Sequence, residues 1–312
     1  VLGTMPDSRH HITAGSSVYG TEIWLCGGKP GRDNTGTTLV HVYNTATNRW
    51  RRGPDLPEVH WGGPAVVCGD SLHVLTGAQG STVTSNHHFV LDLRNEPAGW
   101  SNAEPVPRPR VHGAGVALNG MIWHIGGEYH HLHDGDTRTV QVYDPATDSW
   151  DLSKAPLPKA RSHHEWATFA HAGRIISVSG VNSAQNPRGQ ANIYEYDPSL
   201  DQWRELDPLP RRICSPGAKV VDGLLYVFGG GGDTWFPVTK TTVARAVGGA
   251  VPVALKVVQH TPESRTGSSL RLHQVNGRLL PLAQEAPRAA LPGTVRAAGP
   301  VVSADGMGWI LR

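Results

Sequence analysis

Short apolar runs bounded by glycine turns set the pattern of this chain. Ala114–Leu118 and Met121–Ile125 flank Asn119-Gly120, and similar run–turn–run units surround Gly20, Gly69, Gly173 and Gly223. Runs of four or five residues, rich in β-branched side chains and closed by such turns, predict antiparallel strands buried on both faces rather than helices. After each hairpin stands a pair of small residues: Gly27-Gly28, Thr76-Gly77, Gly126-Gly127, Ser179-Gly180 and Gly229-Gly230.

A second motif follows each pair. Val42-Tyr43-Asn44-Thr45-Ala46-Thr47-Asn48-Arg49-Trp50 is echoed by Val142–Trp150 and by Glu195–Trp203, and more loosely by Val90–Leu93 with Trp100. A proline turn such as Pro156-Leu157-Pro158 or Pro208-Leu209-Pro210 comes next. The whole unit repeats at about 50 residues, the length of one four-stranded propeller blade. Tyr and Trp of one unit are expected to pack as a pair between neighbouring blades.

Glycine pair, Val-Tyr-Asp-Pro, Trp and Pro-Leu-Pro together resemble the kelch repeat, clearly over residues 4–230 and weakly beyond. The resemblance implies an all-β, kelch-type β-propeller with four antiparallel strands per blade, occupying residues 1–312 as one domain. Six blades fit the length, with seven as the alternative if Val301–Leu311 opens another unit. Residues 1–5 would then close the ring by adding an outer strand to the last blade, since an open propeller leaves unpaired edges.

Composition narrows the partners. Formal net charge is +2, from 28 basic and 26 acidic residues, so neither nucleic acid nor a membrane surface is favoured electrostatically. No run of about 18 apolar residues occurs, which argues against a membrane-spanning helix. A cytoplasmic location is the expectation, although the chain starts at Val1. Cys26, Cys68 and Cys214 are too few for a disulfide framework, and Cys26 and Cys68 lie in apolar runs that suit small buried thiols. Gly229–Gly232 lacks the Lys-Ser/Thr of a phosphate loop.

Histidine changes the picture, because there are 17 against six lysines and they gather at equivalent points. Counting back nine residues from each turn glycine reaches His11, His60, Val111 with His112 beside it, His164 and Cys214. These positions enter the innermost strand of each blade, so their side chains are expected round one mouth of the channel. Neutral imidazoles converging there suit copper or iron, and the expected ligands are His11, His60, His112 and His164. Glu165 would serve as general base or orient a ligand imidazole. Trp61, Trp166, His163, Cys214, and His131 and His133 of the loop Glu128–Asp134 would line a substrate site or support the ligands.

Arg161-Ser162-His163-His164-Glu165 also resembles the copper-binding segment of the galactose-oxidase group of kelch proteins. That resemblance aligns His163 with their tyrosine, His164 with their histidine and Cys214 with their cross-linked cysteine. No tyrosine stands at any junction here, so their Tyr–Cys radical is not implied. Arg9, Arg110, Arg161 and Arg212 stand where kelch adaptors hold acidic peptides, or they bridge blades. The expectation is therefore a copper- or iron-dependent oxidoreductase acting on a small molecule. The alternatives are a non-catalytic kelch module binding a protein partner, or a metal-free kelch epimerase or lyase.

Overall fold

Five four-stranded antiparallel sheets follow one another along the chain. A computed structural model describes residues 2–12, 14–31, 35–80, 83–131, 134–186, 188–232, 241–246 and 258–259. The first sheet is built from Ser16–Tyr19, Glu22–Cys26, Val40–Asn44 and Arg49–Arg52, and the second from Ala65–Cys68, Ser71–Leu75, His88–Asp92 and Ser101–Asn102. Ala114–Leu118, Met121–Ile125, Val140–Asp144 and Ser149–Asp151 form the third; Thr168–His171, Arg174–Val178, Ile193–Asp197 and Gln202–Leu206 form the fourth. In the fifth, Gly217–Val221 and Leu224–Phe228 are joined by Thr241–Ala246 and Val258–Gln259, although that unit lacks the Tyr-Asp-Pro and Trp marks. The sixth blade expected from Ser268 onward, and a seventh opened by Val301–Leu311, lie outside the described residues.

The first strands of consecutive sheets touch in order, from the first sheet round to the fifth, so the sheets are blades set round a central axis. The core lies in the seams between them. Trp24, Val42 and Leu56 of the first blade meet Leu72, Val74 and Leu91 of the second. Val66 and Leu75 meet Ile122 and Tyr143; Trp123 and Leu157 meet Tyr194 and Tyr196; Ile176 and Leu209 meet Ala218 and Val227. Strands buried on both faces therefore read as unbroken apolar runs.

The repeated aromatic pair fixes each outer hairpin. Tyr43 faces Trp50 at 5.0 Å, Tyr143 faces Trp150 at 5.2 Å and Tyr196 faces Trp203 at 5.0 Å. Each tyrosine hydroxyl donates to the turn residue five positions on, Asn48, Asp148 or Asp201, which holds a left-handed φ. The Trp150 and Trp203 indoles donate to Glu104 and Ala155 carbonyls of the preceding blade. Trp50 donates instead to the Gly3 carbonyl, so the N-terminal segment takes the place of a preceding blade's exit. The last blade, to which residues 1–5 are expected to add an outer strand, lies outside the described residues.

The small-residue pairs have a steric cause. All five turn left-handed at both positions. A Cβ on Gly77, Gly127 or Gly180 would stand 2.8 Å from the carbonyl oxygen of Trp61, Val111 or Ser162. The second residue of each of these pairs presses against its own blade's entry segment, while Gly27 and Gly126 press against the next blade's, at the His60 and Arg161 carbonyls.

Candidate functional site

In an antiparallel blade the first and third turns share one end, while the central loop and the connection to the next blade share the other. The glycine pairs and the histidine-bearing junctions thus meet at a single end of the propeller. Antiparallel bridges join them: His10 to Lys29, Trp61 to Ala78, Val111 to Glu128, Ser162 to Val181 and Cys214 to Gly231.

The residue after each bridge turns inward. His11, Gly62, His112, His163 and Ser215 all have φ between 48° and 67°. The backbones of the first four form a chain round the channel mouth. The Gly62 N–H donates to the His11 carbonyl, His112 N–H to Gly62 at 2.7 Å, and His163 N–H to His112 at 2.9 Å. A left-handed residue at each step lets one blade's carbonyl meet the next blade's amide. Histidine tolerates this region better than β-branched residues do.

This ring corrects the register expected from the turn glycines. His60 and His164 belong to other rows. His60 is fully buried, bonded through Nε2 to the Gly63 carbonyl at 3.1 Å and through Nδ1 to His87 at 3.0 Å. His164 is fully buried beneath the ring, with Nδ1 shared between Thr168 Oγ1 at 2.8 Å and Ser177 Oγ at 3.1 Å. The spacing failed because the distance from junction to strand varies: the fourth blade inserts a single 3-10 turn, Glu165–Ala167. A constant spacing exists on the other side. Five residues after Pro6, Pro57, Pro107, Pro158 and Pro210 stand the five ring residues.

At the ring three imidazoles converge. The centroids of His11, His112 and His131 lie 5.4, 5.4 and 5.2 Å apart, and one nitrogen from each falls within 4.8 Å of the others. His112 Nδ1–H donates to Glu165 Oε1 at 2.8 Å, while its Nε2 is buried with no hydrogen-bond partner. His163 stacks on His112 at 3.9 Å and bonds through Nδ1 to Ser162 Oγ. His10 Nδ1 contacts His11 Nδ1, and its Nε2 donates to the Gly31 carbonyl at 2.7 Å. Burial first, then the nearby imidazoles and Lys29, push His11 down to about 2, so its ring is neutral at ordinary pH. Lys29, buried with its ammonium 3.9 Å over the Trp61 ring, was not singled out from the sequence, although it directly follows a glycine pair.

A cavity of about 310 Å³ opens here, lined by His10, His11, His112, His163, Glu165 and Trp166 with the Ser215-Pro216-Gly217 turn. Trp166 stands 48% exposed at its rim and reaches across to Ser16, its indole N–H donating to Oγ at 3.0 Å. Trp61 is instead wholly buried, edge-on to His11 and His131, with its N–H on the Gly80 carbonyl. Cys214 is buried in the row before the ring and does not line the cavity. No disulfide joins the three cysteines. His131 closes the cluster from the hairpin Glu128–His130/Asp134–Asp136, and His133 lies outside the described residues.

The arginine row is structural. Arg9, Arg110 and Arg161 hold fully buried side chains whose guanidinium groups donate to carbonyls of Gly27 and Leu39, of Thr139 and of Ser177. They do not face the cavity, so the acidic-peptide reading of that row is corrected. Arg212 lies one position before the row and is exposed; Ile213 takes the row's place in the fifth blade.

A family model for the KLHDC2/KLHL20/DRC7 Kelch-repeats domain matches residues 10–230. The chain belongs to the kelch-repeat family. Kelch repeat and BTB domain-containing protein 1 of Camelpox virus (strain CMS) is 28% identical over 233 residues, covering 72% of this chain and 39% of that protein. Kelch-like protein 23 of Homo sapiens is 24% identical over 231 residues, covering 61% and 41%. Kelch-like protein terF of Aspergillus terreus (strain NIH 2624 / FGSC A1156) is 25% identical, covering 76% and 53%. The chain thus spans about two fifths of the length of the first curated relatives it matches. Among solved structures, that described as "Structure of YjhT" superimposes with a TM-score of 0.60 at 15% identity, covering 78% of this chain and 83% of that one, a likeness of fold. No helix among the described residues is long and apolar enough to cross a membrane.

Proposed function

We propose that this kelch propeller is a protein-interaction module whose junction end receives the partner. The observation that carries the reading is Trp166, a large aromatic held 48% exposed at the lip of the cavity by its bond to Ser16. Solvent-exposed tryptophan fixed in place by the scaffold is the side chain that interfaces use most as an anchor. Tyr129, 39% exposed on the neighbouring hairpin, extends the same end. The cavity beside them, about 310 Å³, has room for a side chain or tight turn of a partner protein. Kelch-and-BTB relatives support the module reading over a free-standing enzyme.

The copper- or iron-dependent oxidoreductase with a small-molecule substrate has weaker support, because its four ligands divide between the ring and the blade interior. A metal-free epimerase or lyase would need His112 and Glu165 as acid and base, and those two groups are bonded to each other.

Affinity capture with identification and quantification of the bound proteins tests the proposal. Trp166→Asp is expected to reduce the recovered partner at least tenfold, as loss of an interface anchor does. Leu200→Asp, on an exposed turn at the opposite end, is expected to leave recovery unchanged. Equal recovery by wild type and Trp166→Asp would remove the proposal.

A further inference from the structure

We propose that His11, His112 and His131 form a binding site for one late first-row divalent transition-metal ion at the channel mouth. The inference goes beyond the interaction reading and does not depend on it. Three imidazoles form a nearly equilateral triangle, and their donor nitrogens already lie within 4.8 Å of one another. Around a tetrahedral ion with bonds of about 2.0–2.1 Å, such nitrogens stand about 3.4 Å apart. Small rotations of the half-buried rings of His11 and His131 cover the difference.

The environment is prepared for this role. His112 turns Nδ1–H to Glu165 and leaves Nε2, buried and without a hydrogen-bond partner, as its second donor. A carboxylate accepting the far N–H is how proteins fix the tautomer of a ligating imidazole and raise its basicity. His11 directs Nδ1 at His10 and leaves Nε2. Nitrogen donors of this borderline kind select zinc, cobalt, nickel or copper over magnesium and calcium. The three ligands come from two blade junctions and one hairpin, so the ion would tie the hairpin to the ring and leave further coordination positions open toward the cavity.

A second cluster shares His112 with Glu128 and His163. All three of its residues are buried, whereas His11 and His131 of the first cluster are half-buried, and His163 already uses Nδ1 on Ser162. The first cluster has the open face that an entering ion needs.

Chelator-stripped protein titrated with Co²⁺, followed by visible ligand-field absorption and calorimetry, tests the site. The expected result is one ion per chain with the intensified bands of four- or five-coordinate cobalt. His131→Ala and His11→Ala are expected to weaken binding more than tenfold, and the exposed neighbour variant His130→Ala is expected to bind as wild type does. His131 lies at a hairpin tip, so its variant keeps the fold, which circular dichroism verifies. Absence of the bands overturns the site. So does binding that survives both His131→Ala and His11→Ala, or binding lost in His163→Ala while His131→Ala retains it. None of these readouts involves a partner protein, so failure here leaves the interaction proposal standing.

Discussion

Acidification from pH 7 to pH 5 is expected to remove a large part of the stability of this propeller. The cause is a set of four buried imidazoles in the second blade, each folded in its neutral form. His60 Nε2–H donates to the Gly63 carbonyl, so its Nδ1 accepts from His87 Nε2–H. His88 Nδ1–H donates to the Glu104 carbonyl at 3.0 Å, so its Nε2 accepts from His73 Nδ1–H at 2.9 Å. A proton added to either accepting nitrogen would set two N–H groups against each other in a buried seam. Burial accordingly holds His60 and His88 down at about 4, His73 at about 3 and His87 at about 2. In the unfolded chain the same groups titrate near 6.5. The unfolded state therefore binds more protons throughout the interval below 6.5, and stability present above that value is lost as the pH falls. Each histidine contributes a slope approaching about 1.4 kcal/mol per pH unit, so four approach about 5 kcal/mol per unit. Integrated from pH 7 to pH 5 the four together amount to roughly 7 kcal/mol, comparable with the roughly 5–15 kcal/mol total of a domain. Urea midpoints measured at pH 7.5, 6.0 and 5.0 check this; midpoints unchanged across the series would refute it.

Two substitutions in the arginine row are expected to behave oppositely. Every nitrogen of the Arg9 guanidinium has a hydrogen-bond partner. Its guanidinium donates to the Gly27 and Leu39 carbonyls at 2.7 and 2.9 Å, to Asp7 at 2.9 Å and to His41 at 2.5 Å. Arg9→Met leaves Asp7 and the Gly27 carbonyl without that donor, and a loss of about 3 kcal/mol is expected. Arg161 occupies the same position in the fourth blade, yet its Nε and Nη2 have no hydrogen-bond partner. Burial lowers it to about 10, a sign that the charge is held at a cost. Methionine of similar length fills the space without that cost, so Arg161→Met is expected to fall within about 1 kcal/mol of wild type. Chemical denaturation of the two variants at pH 7.5 checks both. Equal losses would contradict the satisfied-versus-unsatisfied distinction.

These contrasts show which parts of the chain were readable in advance. The blades were, because each repeat spells its own sterics: a glycine pair where a Cβ would strike a carbonyl, a tyrosine facing a tryptophan across a hairpin, and an Asn or Asp at the left-handed turn. His11, His112, Glu165 and Trp166 line the cavity at the junction end. His60 and His164 fall outside the ring, because the number of residues between junction and strand varies from blade to blade; in the fourth, Glu165–Ala167 adds a turn invisible to simple counting. His163, expected to line a substrate site or support the ligands, stands in the ring itself because it is the left-handed residue of its junction. Burial and partner choice decided the arginines, and neither is visible from one residue's position in a repeat.

Hydrogen exchange of the chain with and without its captured partner most directly tests the claim that the junction end is the interaction surface. Partner binding is expected to slow exchange in the segments 128–131 and 161–167, which carry Tyr129 and Trp166, and to leave the opposite-end turns at 171–174 and 197–203 unchanged. Protection confined to those opposite-end turns would contradict the account.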